Sequence, residues 1–341
     1  MPVVNQNTSE SHPDNFFPDQ TFYSACLNGD LDQVERSLAE GVNINAVMTA
    51  DFTALMLASI RGHTDVVERL IKAGAHLNAR TEDGTTPLFI AAEENNTECV
   101  KILINAGADL NARTEDGATP LFIAAQENNI ECAKLLINAG ADLNARTEDG
   151  ATPLFIAAQE NNIECTKLLI NAEAELNTAL PDGATPLLIA TQENNPECVK
   201  LLINAGADLN ARAEDGATPL LIAAQENNTE CAQLLINAGA DLNAVRIRDA
   251  VTPLFAAAAT GNTDCMKALI KGKANINARN KDGATPLLIA AQEDNTECVQ
   301  LLINAGADLN AALPNGDTPL SIATELGNFD CVEALIKAGA K

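Results

Sequence analysis

The sequence predicts an all-α solenoid of about ten helix-turn-helix units joined by hairpin-like loops. Three observations carry this prediction. Thr-Pro-Leu begins at Thr86, Thr119, Thr152, Thr185 and Thr218, each 33 residues after the last, and a fixed period of that length marks a repeat array. The stretch 113–145, RTEDGATPLFIAAQENNIECAKLLINAGADLNA, returns almost letter for letter from Arg146. Each unit also carries start and stop signals for two helices. The triplet reappears at Thr252, Thr285 and Thr318, so one residue is inserted between Thr218 and Thr252. Going backwards, Thr53-Ala54-Leu55 keeps the register, and Ala25 lies 33 residues before Ala58.

The units so defined are 20–45, 46–78, 79–111, 112–144, 145–177, 178–210, 211–243, 244–277, 278–310 and 311–341. We expect 20–341 to be one array. Residues 1–19 are polar and hold Pro2, Pro13 and Pro18, which suits a disordered lead-in whose Phe16-Phe17 docks on the first unit.

Within a unit, Thr119-Pro120 reads as a hydroxyl N-cap followed by proline at the first helical position, where its missing N–H is harmless. The apolar run Leu121 to Ala125 then meets Asn128-Asn129, a break, because asparagine tolerates the left-handed conformation and also caps. Asn195-Pro196 in a sister unit places the second helix start at the same point. That helix carries Cys132, Leu135, Leu136 and Ile137 and ends at Gly140, a left-handed stop. Asp149-Gly150 is the turn into the next Thr-Pro. At Glu173 and Lys273 the stopping glycine is replaced, which predicts strain there. A helix pair this small cannot bury its apolar faces alone, so neighbours must stack.

The period of 33 with DGATPLFIAA, ECxKLLI and NAGADLNA resembles the ankyrin repeat. The resemblance runs from about residue 20 to the end. Two features depart from the family's pattern. The histidine expected after Thr-Pro-Leu is Phe89, Phe122, Phe155, Leu188, Leu221, Phe255, Leu288 or Ser321, and the Gly-His between helices is mostly Asn-Asn. Only Arg61-Gly62-His63 keeps the Gly-His pair. The resemblance implies a non-catalytic protein-binding module whose concave face, made of hairpin tips and first-helix ends, meets the partner. Similar arrays occur among proteins that intracellular bacteria deliver to hosts, so the resemblance fits the cytosol of the protein's own cell or of a host.

Composition narrows the function classes. The 341 residues carry a net charge of −26, only 3% aromatics and no tryptophan. Direct nucleic-acid binding needs basic stripes and stacking residues, so it is not expected. No apolar stretch is long enough to span a membrane, and we expect a monomer. Eight of nine cysteines, Cys99, Cys132, Cys165, Cys198, Cys231, Cys265, Cys298 and Cys331, fall in one register of the second helix. Packed helices lie about 8–10 Å apart and disulfide Cα atoms within roughly 7 Å, so these thiols read as reduced core residues rather than disulfides or a metal site. No cofactor motif is present. A Cys26–His63 pair is the only nucleophile–base combination to weigh, and it competes with purely structural roles for both.

Surface charge supplies the candidate site. The tips carry Glu82-Asp83, Glu115-Asp116, Glu148-Asp149, Asp182, Glu214-Asp215 and Lys281-Asp282. The first helices end at Glu94, Glu127, Glu160, Glu193 and Glu226. This acidic ladder predicts a basic protein partner. Arg80, Arg113, Arg146, Arg212 and Arg279 run beside it, and exposed Arg–Glu pairing would explain both rails without function. Specificity is expected where the pattern breaks: at 47–52, 178–181, 313–315 and above all the insertion 245–250, which brings Arg246 and Arg248 to the ladder. Two other readings stay open at this point. One is an acidic nucleic-acid mimic that inhibits a nuclease or DNA-binding protein. The other is the binding arm of a larger effector or enzyme, since 338–341 stops inside a segment that elsewhere continues Asp-Leu-Asn.

Overall fold

A computed structural model describes residues 19–48 and 51–341. The expected disorder of 1–18, the docking of Phe16-Phe17 and part of the 47–52 break fall outside the described residues. Asp19 caps the first helix: its carboxylate accepts from the backbone N–H groups of Thr21 and Phe22.

Among the described residues there are twenty helices and no strand. They fall into two compact units, Met1–Ala112 and Arg113–Lys341. The first holds the helix pairs Gln20–Asn28 with Leu31–Ala39, Ala54–Arg61 with Thr64–Lys72, and Pro87–Glu93 with Thr97–Asn105. The second begins with Pro120–Gln126 and Ile130–Ala139, then Pro153–Gln159 and Ile163–Asn171, Pro186–Gln192 and Pro196–Ala205, and Pro219–Glu226 and Thr229–Ala238. It continues with Pro253–Thr260 and Thr263–Lys271, Pro286–Gln292 and Thr296–Asn304, and Pro319–Leu326 and Phe329–Ala338.

Every first helix from Pro87 onward starts as expected. The threonine before each proline accepts the backbone N–H three residues on, as Thr152 does from Phe155 at 3.2 Å. The second helices end as expected too, with Gly140 at φ 91°. Glu173 and Lys273 take up the same left-handed conformation at φ 65° and 71°. Their backbones still close the helix, for Ala174 and Ala274 donate to Leu169 and Leu269 at 3.0 Å.

The break between helices differs from expectation in one respect. Asn161 and its counterparts are left-handed, at φ 56° for Asn161. The second asparagine, Asn162, occupies the N-cap position without making the side-chain cap. Its amide instead reaches into the preceding repeat and donates to the carbonyls of Ala125 at 2.9 Å and Gln126 at 2.7 Å. Those carbonyls lie at the end of a helix and have no partner within it. Interrepeat stitching outcompetes capping because one NH2 group satisfies two such acceptors.

Packing in the second unit runs first helix on first helix and second on second. Leu121, Leu154, Leu187 and Leu254 are fully buried, as are Leu136, Leu169 and Leu202. Each contributes roughly 1.5–3 kcal/mol relative to exposure. Phe122, Phe155, Leu188 and Leu221, which replace the family's histidine, are buried as well. Ser321 is the exposed exception and closes a capping box with Thr318. The insertion repeat shows a compensated core: Val251 stands where regular units have Ala118 or Ala151, and Ala256 where they have Ile123 or Ile156. Both pack in one cluster with Phe255, Leu288 and Ile322, and such a volume-conserving exchange keeps the layer filled.

Candidate functional site

The regular tip is a turn closed by its own threonine and aspartate. In 147–151 the N–H of Thr147 donates to Ala151 at 2.9 Å and that of Gly150 to Thr147 at 2.9 Å. The Thr147 hydroxyl donates to the Asp149 carboxylate and accepts from the N–H of Ala151 at 3.0 Å. Thr81 with Asp83 and Thr114 with Asp116 repeat the contact. The hydroxyls of Thr81 and Thr85 hold the Asp83 carboxyl below the usual carboxylate range. Asp182 and Asp215 accept the backbone N–H two residues on, at 3.0 and 2.9 Å. The tip aspartates are therefore part of the turn.

The tip glutamates are not. Glu82, Glu115, Glu148 and Glu214 are exposed, and their side chains form no ion pair among the described residues. Only their backbones are engaged, as where Glu148 donates to Asp116 at 2.7 Å and Glu214 to Asp182 at 2.6 Å. The helix-end residues Glu94, Glu127, Glu160, Glu193 and Glu226 are exposed too. Each sits at or beside a first-helix C-terminus, where the helix dipole disfavours an anion by about 0.3–1 kcal/mol. The fold has no need of a carboxylate there.

Four arginines of the rail reach backbone carbonyls of the next repeat. Arg146 donates to the carbonyl of Ala179 at 2.6 Å, Arg212 to Val245 at 2.8 Å and Arg279 to Ala312 at 2.9 Å, each 33 residues further on, and Arg113 reaches Arg146 in the same way. For these four, the Arg–Glu surface pairing weighed from the sequence gives way to a backbone stitch, in which one guanidinium N–H meets a fixed carbonyl in the next rung; an exposed ion pair would add little, about 0–1 kcal/mol.

The insertion is a bulge in this ladder. Ile247 makes the bond regular glutamates make, donating to Asp215 at 3.0 Å, while Asp249 accepts from Lys281 at 2.8 Å, as the tip aspartates do. Arg248 is therefore the extra residue. The turn lengthens from three to four residues, with the N–H of Ala250 donating to Arg246 at 2.8 Å and Ala250 left-handed at φ 59°. Arg246 takes the place of the tip threonine. Its Nε and Nη2 grip Asp249 at 3.1 and 2.7 Å, and Nη1 donates to Gln225 at 3.2 Å. This side chain is 12% exposed, so Arg246, expected on the partner face, holds the loop in shape. Arg248 is 64% exposed and only 3.6 Å from Asp249. Lys281 donates to the carbonyl of Arg248 at 2.8 Å, and Asp282 beside it is exposed.

Tips and first-helix ends do converge. A groove of about 500 Å³ has Asp182, Asp215 and Glu226 on its walls, Leu188, Leu221 and Ile222 among its lining, and Arg246 and Arg248 at one side. The sequence points to the insertion 245–250 but, within it, to Arg246 and Arg248 rather than to Ile247, which is 62% exposed, or Val245, at 42%. Aligned by ladder bonds, Ile247 stands where regular tips put glutamate. An aliphatic residue in a solvent-facing column was the signal.

Neither member of the Cys26–His63 pair is set up for nucleophilic work: burial pushes the Cys26 thiol up to about 12, and His63 Nε2 is bonded to the Leu27 carbonyl. No helix among the described residues is long and apolar enough to cross a membrane.

Stacked helix pairs, linked in the second unit by laddered tips, define a repeat protein. Its family is shown directly. The family model described as ankyrin repeats (3 copies) matches residues 22–114, 106–179, 171–246 and 254–341, and the chain belongs to that family. Ankyrin repeats are generally protein–protein interaction modules. A comparison with curated proteins finds none that matches.

Proposed function

We propose that this protein is a non-catalytic adaptor that captures a partner protein with a basic surface on the face formed by hairpin tips and first-helix ends. The carrying observation is the division of labour among its charges. Tip aspartates close turns and arginines hold backbone carbonyls, whereas Glu115, Glu148, Glu127 and Glu160 are exposed and form no ion pair among the described residues. Summed, such carboxylates attract cationic surfaces even where any single pair is weak. Attraction of this kind acts mainly on association rate and fades with salt, because exposed charges are screened beyond about 8–10 Å.

The test follows from that division. Glu115→Lys, Glu148→Lys, Glu127→Lys and Glu160→Lys, combined, reverse the free charges and leave the turn-closing aspartates alone. With a partner identified by affinity capture and mass spectrometry, the combined variant should associate about tenfold more slowly at low salt, and the difference should shrink at high salt. Equal association rates at low salt would refute the reading. A captured nuclease or DNA-binding protein released by competing DNA would instead favour the mimic.

A further inference from the structure

We infer that the bulge at Ile247-Arg248 fixes the register of a bound partner, and that the partner presents an apolar spot beside a carboxylate to it, within an otherwise basic surface. This rests on the proposed capture by the acidic face. A ladder of similar acidic rungs has a weakness as a recognition surface: a basic partner shifted by one repeat meets nearly the same charges. Selectivity then needs an element that one register satisfies and the others violate. Pro181 and Pro314 also put an exposed apolar ring in the glutamate position and Lys281 a cation, but among the described tips only this loop combines an aliphatic side chain there with an added cation beside it. A uniformly basic surface laid across the rung brings a like charge against Arg248 and buries nothing on Ile247. A partner with an aliphatic or aromatic residue next to Asp or Glu offers contact to the first and charge complementarity to the second.

The loop is built to hold that pair out. Arg246 clamps Asp249 in a two-pronged grip, the N–H of Ile247 is tied to Asp215, and the Arg248 carbonyl accepts from Lys281. The stem of Ile247 lies over Gly216, where any side chain would collide with it. A pre-ordered apolar residue beside an arginine loses little entropy on binding, which is the composition of an interface anchor.

Two synthetic peptides of 20 residues, as a chosen length, test the idea. One alternates lysine and serine throughout, and the other carries a central Leu-Glu in the same background. Both should bind the intact chain at low salt. The Leu-Glu peptide should dissociate about fivefold more slowly. That advantage should vanish in the double variant Ile247→Glu, Arg248→Glu, which gives position 247 the glutamate of regular tips and reverses the added charge, both at exposed positions, and should melt like the parent. Equal dissociation of the two peptides from the parent would overturn the inference, as would an advantage that survives in the variant. If neither peptide binds at low salt, the acidic-face reading itself fails, and the inference with it.

Discussion

His63 places Nε2 3.0 Å from the carbonyl oxygen of Leu27, 36 residues earlier. In later repeats an asparagine does this work with two bonds: Asn195 donates to Ala158 and Gln159 at 3.0 and 2.8 Å, and Asn228 to Thr191 and Gln192 at 2.8 and 3.1 Å. The family's histidine has therefore been exchanged for a second donor rather than lost. Asn195→Ala leaves two helix-end carbonyls without partners and should cost about 1–3 kcal/mol. Asn195→His keeps one bond and should cost less. Urea midpoints of the two variants decide it, and equal losses would mean that the stitch contributes only through shape.

Glu173 and Lys273 hold a conformation that the sister repeats give to glycine. At Gly107, Gly140, Gly206 and Gly239 a Cβ would meet no atom within 4 Å, so the penalty at this position is conformational and not a clash. Glu173→Gly and Lys273→Gly should each stabilise by up to about 1 kcal/mol, less than the 1–2 kcal/mol of strain because glycine also loosens the unfolded chain. Gly140→Ala is the reciprocal change and should destabilise. Thermal midpoints moving in the same direction for all three would contradict this account.

The period, helix starts and stops, buried phenylalanines and leucines and the thiol column could all be read from the sequence, because each follows from local backbone chemistry repeated ten times. Where side chains reach into another repeat, local rules fail. Asn162 looks like a cap in isolation and becomes a stitch only when Ala125 and Gln126 are beside it. Arg146 looks like a partner for Glu148 until the carbonyl of Ala179 is in place. The site was legible as a face, yet not in its parts. Asp116 and Asp149 share a column with free carboxylates but belong to the turn, and Ile247 emerges only once the ladder bonds align it with glutamate.

All nine cysteines are buried, and none is in a disulfide. Burial pushes the thiols of Cys165 and Cys298 up to about 11 and that of Cys231 to about 12. Weak contacts tie them to the preceding repeat, as where the Cys198 Sγ lies 3.5 Å from Asn161 Oδ1. Native protein should react with few equivalents of a bulky thiol reagent, and unfolded protein with nine. Because the folded state holds these protons more tightly, stability is intact below the ordinary thiol value near 8.5 and should fall as pH rises from there toward 11–12. Chemical denaturation at pH 7 and pH 10 measures it. Rapid labelling of most thiols in native protein would contradict the core assignment.

Acid should act on the bulge in the opposite direction. The guanidinium of Arg246 holds the Asp249 carboxyl below the ordinary carboxylate range, with the N–H of Val251 and the charge of Arg248 assisting. A carboxyl with a lowered folded value stabilises above its unfolded value, near 4, and loses that contribution as pH falls through the folded one. Below about pH 4 the loop should therefore loosen, and the turn at Asp83, whose carboxyl the Thr81 and Thr85 hydroxyls hold low, should respond in the same direction. Arg246→Ala should bring the same loosening to neutral pH, because it removes both prongs on Asp249 and the bond to Gln225. Hydrogen exchange at the amide of Ala250 is the direct readout. It should speed up at least tenfold in the variant at pH 7, with little change at Gly150. An unchanged rate would mean that the backbone bonds to Asp215 and Lys281 suffice, and that Arg246 is free to meet a partner after all.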